Sequence, residues 1–345
     1  MTSRICRTFQ TAPAAVPREE SAKYLRSGLE SEGFSAPDWL VPDLEDGTAP
    51  ELKAEALENV CRLLPEAPFS GEIWPRVQWS DTAADRREQG RDEINTLVSE
   101  VGEYIDGIVI PKVGRLADVE RALEAVSSAE SAHGFGDGAL GVALIVETAR
   151  ARSDLRRIAA RGRDTRLEAL VFGPVDYAGE LGARDMGDGR PRWDGLLETL
   201  SNEASANGLL AIGGPFDELF LERAGVTVYN AEGYAEQVEH EAHFGLDGSW
   251  SLYPKQTIQA NRIHLPTSEE LERDVSKTER FNEAKAGGTG AVTLDGQMVD
   301  EATLKTFRNT VETVRVVHER RPEQTGAVYE ETLLERTLKL RRSVD

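Results

Sequence analysis

The sequence predicts a (β/α)8 barrel with a smaller C-terminal appendage, and three observations indicate this fold. Short aliphatic runs alternate with helical patterns through most of the 345 residues. Several runs end on a charged side chain, as at Glu147 and Asp176, which is typical of barrel strands whose carboxyl ends carry a site. No Gly-x-Gly-x-x-Gly follows the first run and no Walker loop is present, which disfavours the alternative of a doubly wound open sheet.

Nine segments have the length and the β-branched, aliphatic content of strands, whereas a barrel needs eight. The pattern alone does not decide whether the first or the eighth of them is the extra one. The nine segments are residues 4–10, 39–47, 73–79, 107–113, 140–147, 170–176, 209–214, 226–230 and 249–254.

Between the predicted strands, apolar residues recur at helical spacing. The predicted helices are residues 18–32, 51–64, 92–103, 116–132, 151–161, 193–207 and 235–244. We therefore assign residues 1–265 to a barrel domain that carries the site.

The alternation of strands and helices stops after this domain. A charged helix over residues 268–285, capped by Thr267 or Ser268, is followed by a Gly-rich link, a hairpin and a helix that begins at Asp300. We predict that residues 266–345 form an appendage to the barrel and are not another βα unit.

Two acids at the ends of successive strands, Glu147 and Asp176, are candidate metal ligands. The carboxyl ends of barrel strands meet at one face, so both carboxylates could reach one hard divalent cation there. The alternative is that each acid only caps the helix that follows it. The repetition of the same context on successive strands favours the metal site.

The composition limits the classes of partner. There are 61 acidic and 40 basic residues, the latter 32 Arg and 8 Lys, and the net charge is −21. So negative a surface argues against nucleic acid and anionic membranes as partners. A dispersed acidic surface that is poor in Lys suggests a halophilic protein, because salt screens the self-repulsion. We expect a cytoplasmic location, since no apolar run approaches the roughly 20 residues of a membrane span.

Short motifs stand in a fixed order from about Arg4 to about Glu319. They are Asp43-Leu-Glu-Asp46 with Lys53 downstream, Arg76-Val, Ile110-Pro-Lys112-Val, Ile145-Val-Glu147-Thr, Phe172-Gly-Pro-Val-Asp176, Tyr253-Pro-Lys-Gln256-Thr-Ile258, Pro266-Thr-Ser-Glu-Glu270 and Asp295-Gly-Gln-Met-Val-Asp300. In this order they resemble the HpcH/HpaI aldolase and citrate lyase β-subunit superfamily. The subgroup that fits best is the malyl-CoA and β-methylmalyl-CoA lyases, of a haloarchaeal type.

The resemblance implies a reversible carbon–carbon cleavage of malyl-CoA or β-methylmalyl-CoA that depends on Mg²⁺, with Mn²⁺ as an alternative metal. The products would be glyoxylate and acetyl-CoA or propionyl-CoA, formed through a thioester enolate. The alternative hypotheses for the function are a citramalyl-CoA or citryl-CoA lyase, a malyl-CoA thioesterase, and a non-catalytic subunit of a lyase assembly.

The resemblance also implies roles for individual residues. Glu147 and Asp176 match the metal ligands, and Arg76 matches the cation that steadies the enolate oxygen. Glu45 and Asp46 match acids that support the metal's waters and orient that arginine. Asp300 matches a base supplied by a neighbouring subunit's appendage, which implies a homotrimer or homohexamer. Positions that match contacts to CoA are Arg7, Lys23, Lys112, Pro254 and Gln256.

Three alternatives remain open on the residues alone. Asp300 stands where an aspartate caps the helix that follows it. Lys112 reaches a CoA phosphate or pairs with an acid outside the site. We expect one of Asp43 and Glu45 to face away from the barrel axis.

Overall fold

The computed structural model describes residues 4–183 and 193–340. The chain divides into two compact units, of which the first is essentially Cys6–Asn261 and the second begins at Arg262. The division therefore falls slightly before the boundary expected after residue 265.

The first unit contains a set of short parallel strands and one small antiparallel hairpin. In the described residues its strands are β1 (Thr8–Pro13), β2 (Trp39–Asp43), β3 (Glu72–Ile73), β4 (Gly107–Ile110), β5 (Gly141–Val146), β6 (Leu167–Phe172), β7 (Leu210–Ile212), β8 (Phe220–Arg223), β9 (Val226–Tyr229) and β10 (Ser249–Ser251).

The parallel strands follow one another around a ring. β1 lies between β10 and β2, β3 pairs with β2, and β4 to β7 pair in chain order. Arg76 bridges the two sets by pairing with both Asp43 and Val109, and Ile212 bridges Gly248 on the other side. Eight parallel strands of the described chain thus surround one core, and the predicted (β/α)8 barrel is confirmed. β8 and β9 pair only with each other in the described residues, so the extra predicted segment is 226–230.

The inside of the ring is filled by alternate residues of the strands. In β5, Ala143 and Ile145 face the inner cluster, while Val142, Leu144 and Val146 pack in the cluster that faces the helices. The inner cluster is completed by Phe9, Trp39, Val41, Trp74, Val109, Ala169, Val171, Leu210, Ile212 and Trp250, with Cys6 at its edge. This alternation decides which residues beyond the strand ends enter the mouth of the barrel.

Helices connect the strands and bury their apolar faces against the ring. They are α1 (Lys23–Leu29), α2 (Lys53–Leu63), α3 (Ala84–Val101), α4 (Leu116–His133), α5 (Ala149–Ala159), α6 (Pro174–Glu180), α7 (Asp194–Asn207), α8 (Ala231–His243) and α9 (Pro254–Ile263). The sequence pattern did not indicate α9, because we assigned its first residue to the preceding strand.

The second unit has its own small cores. It consists of α10 (Ser268–Ala286), the hairpin β11 (Val292–Leu294) and β12 (Gln297–Val299), and helices α11 (Glu301–Arg320), α12 (Pro322–Gly326) and α13 (Glu331–Lys339). Of the two caps that the sequence offers, Thr267 is the one at the start of α10, where it forms a capping box with Glu270. Asp295 and Gly296 both have positive φ, 51° and 80°, which suits the tight turn of the hairpin.

Within the described ranges, no helix is both long enough and apolar enough to cross a lipid bilayer.

Candidate active site

The inward-facing alternation continues to the end of β2 and just beyond β3 and β5, and it brings charged residues to one mouth of the barrel. Side chains two positions apart on an extended chain share a face. Three inward-facing core residues are therefore followed, two positions later, by a charged residue: Val41 by Asp43, Trp74 by Arg76 and Ile145 by Glu147.

Arg76 is fixed in place by Asp43. Its Nε donates to Oδ1 at 2.7 Å and its Nη2 donates to Oδ2 at 2.5 Å, a bidentate pair that is buried on both sides. The remaining nitrogen, Nη1, lies 3.3 Å from Oε2 of Glu45. The guanidinium carbon also lies 5.6 Å from the centre of the Trp250 ring.

The surrounding carboxylates keep Arg76 charged. Burial alone would lower its pKa, but the hydrogen bonds and negative charges of Asp43, together with the charges of Glu45 and Glu147, raise the pKa of Arg76 above its usual range. A permanent cation with one side fixed by a carboxylate is suited to hold a developing negative charge on its other side.

Asp43 belongs to the barrel mouth, although the sequence did not indicate a role for it there. Besides Arg76 it accepts hydrogen bonds from the backbone N–H of Glu45 at 2.9 Å and of Gly47 at 2.8 Å. A Cβ on Gly47 would lie 2.2 Å from Oδ2 of Asp43, so the turn needs glycine there. The expectation that Asp43 or Glu45 faces outward is wrong, because residues two apart share a face and both contact Arg76.

Glu45 and Asp46 both bind the amino group of Lys112. The Lys112 Nζ donates to Oε1 of Glu45 at 2.5 Å and also to Asp46. Burial raises the pKa of Glu45 above its ordinary value, although Arg76 and Lys112 act to lower it. Of the two acids expected to orient Arg76, only Glu45 forms an ion pair with it in the described contacts; Asp43 makes the closer one.

Glu147 is buried at the end of β5. The backbone N–H of Lys112 donates to its Oε1 at 2.7 Å. Its side chain also packs on the backbone of Gly173, where an added Cβ would come within 2.5 Å of Oε2. Burial, and after it the negative charge of Asp176, raises the pKa of Glu147 to about 8.

Asp176 lies in the first turn of α6 and is exposed, whereas the sequence placed it at the end of a strand. The strand ends earlier, at Phe172, because Gly173 and Pro174 begin the helix. The charge of Asp176 nevertheless acts on Glu147, so the two carboxylates are electrostatic neighbours.

The two carboxylates fit a hard divalent cation. A buried carboxylate and a second negative charge beside it are the combination that such a cation would relieve, and oxygen is the ligand atom that Mg²⁺ prefers. Across the described part of the chain, no three His, Cys, Asp or Glu side chains are gathered so that they could hold a metal. Water or substrate oxygens would therefore have to complete the coordination of an ion at Glu147 and Asp176.

The prediction that Arg7 contacts CoA phosphate is wrong. Arg7 precedes β1 and therefore lies at the amino end of the barrel strands, opposite the mouth that holds Arg76. Its Nε and Nη2 donate to Asp38, both at 2.8 Å, and its Nη1 donates to the carbonyl oxygen of Asn261 at 3.2 Å. Three guanidinium nitrogens are thus bonded within the barrel, and the residue is buried.

Gln256 is likewise occupied by the fold and not exposed to a ligand. Its Oε1 accepts the backbone N–H of Leu252 at 2.7 Å, and its Nε2 donates to the carbonyl oxygen of Phe216 at 3.0 Å. The side chain is fully buried, so direct contact with CoA is wrong for this residue. Pro254 and Lys23 are exposed at the first positions of α9 and α1, and their contact with CoA stays a prediction.

Asp300, in the second unit, caps helix α11. Its Oδ1 accepts the backbone N–H of Thr303 at 2.9 Å and the hydroxyl of the same residue at 3.0 Å. These hydrogen bonds lower the pKa of Asp300 below its ordinary value. The capping alternative is confirmed, and the role as a base stays a prediction.

Glu241 is a second buried acid that the sequence reasoning did not single out. It accepts hydrogen bonds from the Ser249 hydroxyl at 2.5 Å, from the backbone of Gly214 at 3.1 Å and from the amide of Gln237 at 3.0 Å. A Cβ on Gly213 would collide with its carboxylate at 2.0 Å. Its place in a helical pattern gave no signal of this burial.

A family model described as HpcH/HpaI aldolase/citrate lyase matches residues 27–254. The chain belongs to the HpcH/HpaI aldolase/citrate lyase family. The matched region runs from α1 to the first residue of α9 and includes Arg76, Glu147 and Asp176, so the family membership expected from the motifs is confirmed.

Individual members of the family resemble the whole chain. The L-malyl-CoA/β-methylmalyl-CoA lyase of Haloarcula marismortui is 60% identical over 336 residues, which cover 97% of each chain. A structure of Haloferax volcanii malate synthase with pyruvate and acetyl-CoA superposes with a TM-score of 0.70 at 31% identity, over 98% of this chain and 99% of that one. The magnesium/glyoxylate complex of that synthase gives a TM-score of 0.70 at 30% identity, over 99% of each chain.

Proposed function

We propose that this protein is a carbon–carbon lyase that reversibly splits malyl-CoA and β-methylmalyl-CoA into glyoxylate and acetyl-CoA or propionyl-CoA. The identity of 60% to the Haloarcula marismortui lyase over nearly the whole chain supports this activity. The observation that carries it is the cation Arg76, locked by Asp43 in the barrel mouth with Glu45 beside it and the charge of Glu147 acting on it.

Cleavage breaks the bond between the hydroxyl-bearing carbon and the α-carbon of the thioester. The electron pair of that bond moves toward the thioester carbonyl oxygen, which becomes an enolate, and the hydroxyl proton leaves to a base as glyoxylate forms. The α-carbon then takes up a proton to give the acyl-CoA product. In the condensation direction a base removes that α-proton instead.

Arg76 stabilises the enolate oxygen. Asp43 holds the Nε–Nη2 side of the guanidinium, and Nη1, whose contact with Glu45 is longer at 3.3 Å, is the nitrogen best placed to donate to substrate. Because the cation is fixed before the charge develops, little reorganisation is needed in the transition state. One such donor is typically worth about 3–4 kcal/mol.

Glu147 and Asp176 would hold Mg²⁺, with Mn²⁺ as a substitute. The bound ion would supply Lewis-acid polarisation of the glyoxylate oxygens and a template for the aldehyde carbon. The magnesium/glyoxylate complex of the structurally similar Haloferax volcanii malate synthase supports this cofactor.

Asp300 is proposed as the base, supplied by the appendage of a neighbouring subunit in a homotrimer or homohexamer. Its carboxylate would have to give up its hydrogen bonds at the start of α11. It could then accept a proton from the substrate when the appendage of the neighbouring subunit closes over the barrel. We also propose a halophilic enzyme, on the basis of the net charge of −21, and a cytoplasmic location.

The direct test is to incubate the protein with malyl-CoA and with β-methylmalyl-CoA, with and without Mg²⁺, in concentrated KCl. We expect Mg²⁺-dependent release of glyoxylate together with acetyl-CoA or propionyl-CoA. Glu147→Gln and Asp176→Asn should lose the activity, whereas Glu198→Gln, an exposed acid on α7, should keep it. Cleavage that survives in both site variants would contradict the proposal.

Thioester hydrolysis is a second candidate, favoured by the structural likeness to malate synthase. The same incubation separates the two activities, because a hydrolase releases free CoA and malate while a lyase keeps the thioester intact. Citramalyl-CoA and citryl-CoA in the substrate panel test for a lyase that releases a larger keto acid.

A further inference from the structure

Lys112 joins acids that belong to two other barrel strands. It stands two residues beyond β4 and has a φ of 47°, in the left-handed region that residues with a Cβ rarely adopt. Such a conformation persists only where surrounding contacts hold it, and it is found most often at functional sites.

The backbone of Lys112 shows what holds this conformation. Its N–H donates to Oε1 of Glu147 at 2.7 Å, and its carbonyl oxygen accepts the N–H of Asp81 at 3.1 Å. The left-handed turn thus points the N–H at a side chain instead of at a neighbouring strand. One oxygen of Glu147 is therefore held by a main-chain donor, whose direction depends on the left-handed φ of Lys112.

The side chain of Lys112 turns to the acids that follow β2. Its Nζ contacts Oε1 of Glu45 at 2.5 Å and also Asp46, and its side chain is 25% exposed against 5% for that of Glu45. The other oxygen of Glu45, Oε2, accepts the backbone N–H of Asp46 at 2.8 Å and faces Nη1 of Arg76 at 3.3 Å. Lys112 thus contacts one carboxylate oxygen of Glu45, and Arg76 faces the other.

We propose that Lys112 is a positioning residue, which fixes Glu147 through its backbone and Glu45 through its side chain, and not a ligand of a CoA phosphate. This inference rests on the lyase activity proposed above. Without the amino group, Glu45 is free to move closer to Arg76 and to occupy Nη1, the nitrogen that should donate to the enolate oxygen. Removal of the amino group should therefore lower kcat and leave the KM for the thioester unchanged.

The side-chain role is tested with Lys112→Met, which removes the charge but keeps most of the length. We expect kcat for malyl-CoA cleavage to fall roughly tenfold to a hundredfold, the range found when residues that support metal ligands are removed. The KM for malyl-CoA should stay within a factor of about two. Lys339→Met is the matched control, because Lys339 is exposed on α13 and pairs only loosely with Glu335, at 3.3 Å.

The backbone role is tested with Lys112→Gly and Lys112→Val, which both lack the amino group but differ in their tolerance of φ 47°. Glycine adopts this φ freely, whereas a β-branched residue resists it and should draw the N–H away from Glu147. Titration calorimetry with Mg²⁺ alone should give a dissociation constant for the glycine variant near that of the unmodified protein. The valine variant should bind Mg²⁺ roughly tenfold more weakly.

The outcomes separate this inference from the proposed function. If the unmodified protein neither binds Mg²⁺ nor cleaves malyl-CoA, the proposed function and this inference both fail. If it does both, but Lys112→Met raises the KM for malyl-CoA at unchanged kcat, Lys112 is a phosphate ligand and only the inference is overturned. Equal Mg²⁺ affinities of the glycine and valine variants, with melting temperatures that show both are folded, would overturn the backbone role.

Discussion

Two buried arginines, one near each end of the same strand, form the same bidentate pair with an aspartate but differ in what surrounds the third nitrogen. At the amino end of β2, Arg7 pairs with Asp38, and its Nη1 donates to the carbonyl oxygen of Asn261. At the carboxyl end, Arg76 pairs with Asp43, and its Nη1 faces a carboxylate of the barrel mouth at 3.3 Å.

This difference separates an anchor from a candidate catalytic group. A guanidinium whose nitrogens all donate to groups of the barrel has a structural role. The burial of such an ion pair is not by itself evidence of a catalytic role. A guanidinium that is equally rigid, but has one side turned toward acids at a mouth, can donate to a ligand. The aspartate pair supplies the rigidity in both places, and the surroundings of the third nitrogen decide the function.

Arg76→Met should have the largest effect. It leaves Asp43 buried without its cation, which typically costs about 3–5 kcal/mol of unfolding free energy, and it removes the enolate donor. We expect kcat/KM for malyl-CoA to fall roughly 10²- to 10³-fold per folded molecule. Steady-state kinetics and chemical denaturation measure the two effects, and Arg76→Lys replaces the variant if it fails to fold. Full activity in either variant would remove Arg76 from the mechanism.

Asp300→Asn separates the role of this side chain as a helix cap from its proposed role as a base. Asparagine caps a helix as well as aspartate does, so the melting temperature should be unchanged. A lost general base should lower kcat by about 10²-fold or more. Activity equal to that of the unmodified protein would leave Asp300 as a helix cap alone, as its hydrogen bonds with Thr303 show it.

Arg7→Met is the counterpart of Arg76→Met at the other end of the barrel. It removes the bidentate pair with the buried Asp38, so the free energy of unfolding should fall, by up to about 3–5 kcal/mol. The kcat per folded molecule should remain within a factor of about two. Arg7→Lys gives a milder version for the same measurements. A selective loss of kcat would show that the two ends are less independent than the contacts indicate.

Glu241→Gln extends the comparison to a buried acid held by neutral donors. Burial raises the pKa of Glu241 from 4.5 to about 8. Between these values the folded chain keeps a proton that the unfolded chain releases, so the free energy of unfolding falls as the pH rises. The variant should lack this part of the pH dependence, which changes the free energy of unfolding by at most a few kcal/mol. Denaturation at pH 5, 7 and 9 measures it; parallel curves for the two proteins would contradict the assignment.

Much of the barrel could be predicted because its signals are local. Aliphatic runs, helical spacing and the turn at Asp295 and Gly296 each act over a few residues, and the strands that they indicated are present. Helix α9 was missed because Pro254 reads equally well as the end of a strand and as the first residue of a helix.

The site was predicted less completely because partners distant in sequence decide each role. Glu147 was found from its place at a strand end, whereas Arg76 and Glu45 were assigned from the family resemblance. The role of Arg7 depends on Asp38, 31 residues away, and on where β1 begins; the strand starts at Thr8, later than the sequence suggested. Local sequence does not specify such pairs, and the left-handed backbone of Lys112 has no signature in residue type.

The ring of Trp250 lies 5.6 Å from the guanidinium carbon of Arg76, and its indole N–H donates to the hydroxyl of Thr11 at 2.9 Å. Indole emission shifts when the electric field around the ring changes. We therefore expect a ligand that places negative charge against this guanidinium to alter the emission of Trp250. The fluorescence of Trp250 then reports ligand binding in the barrel mouth without an added label.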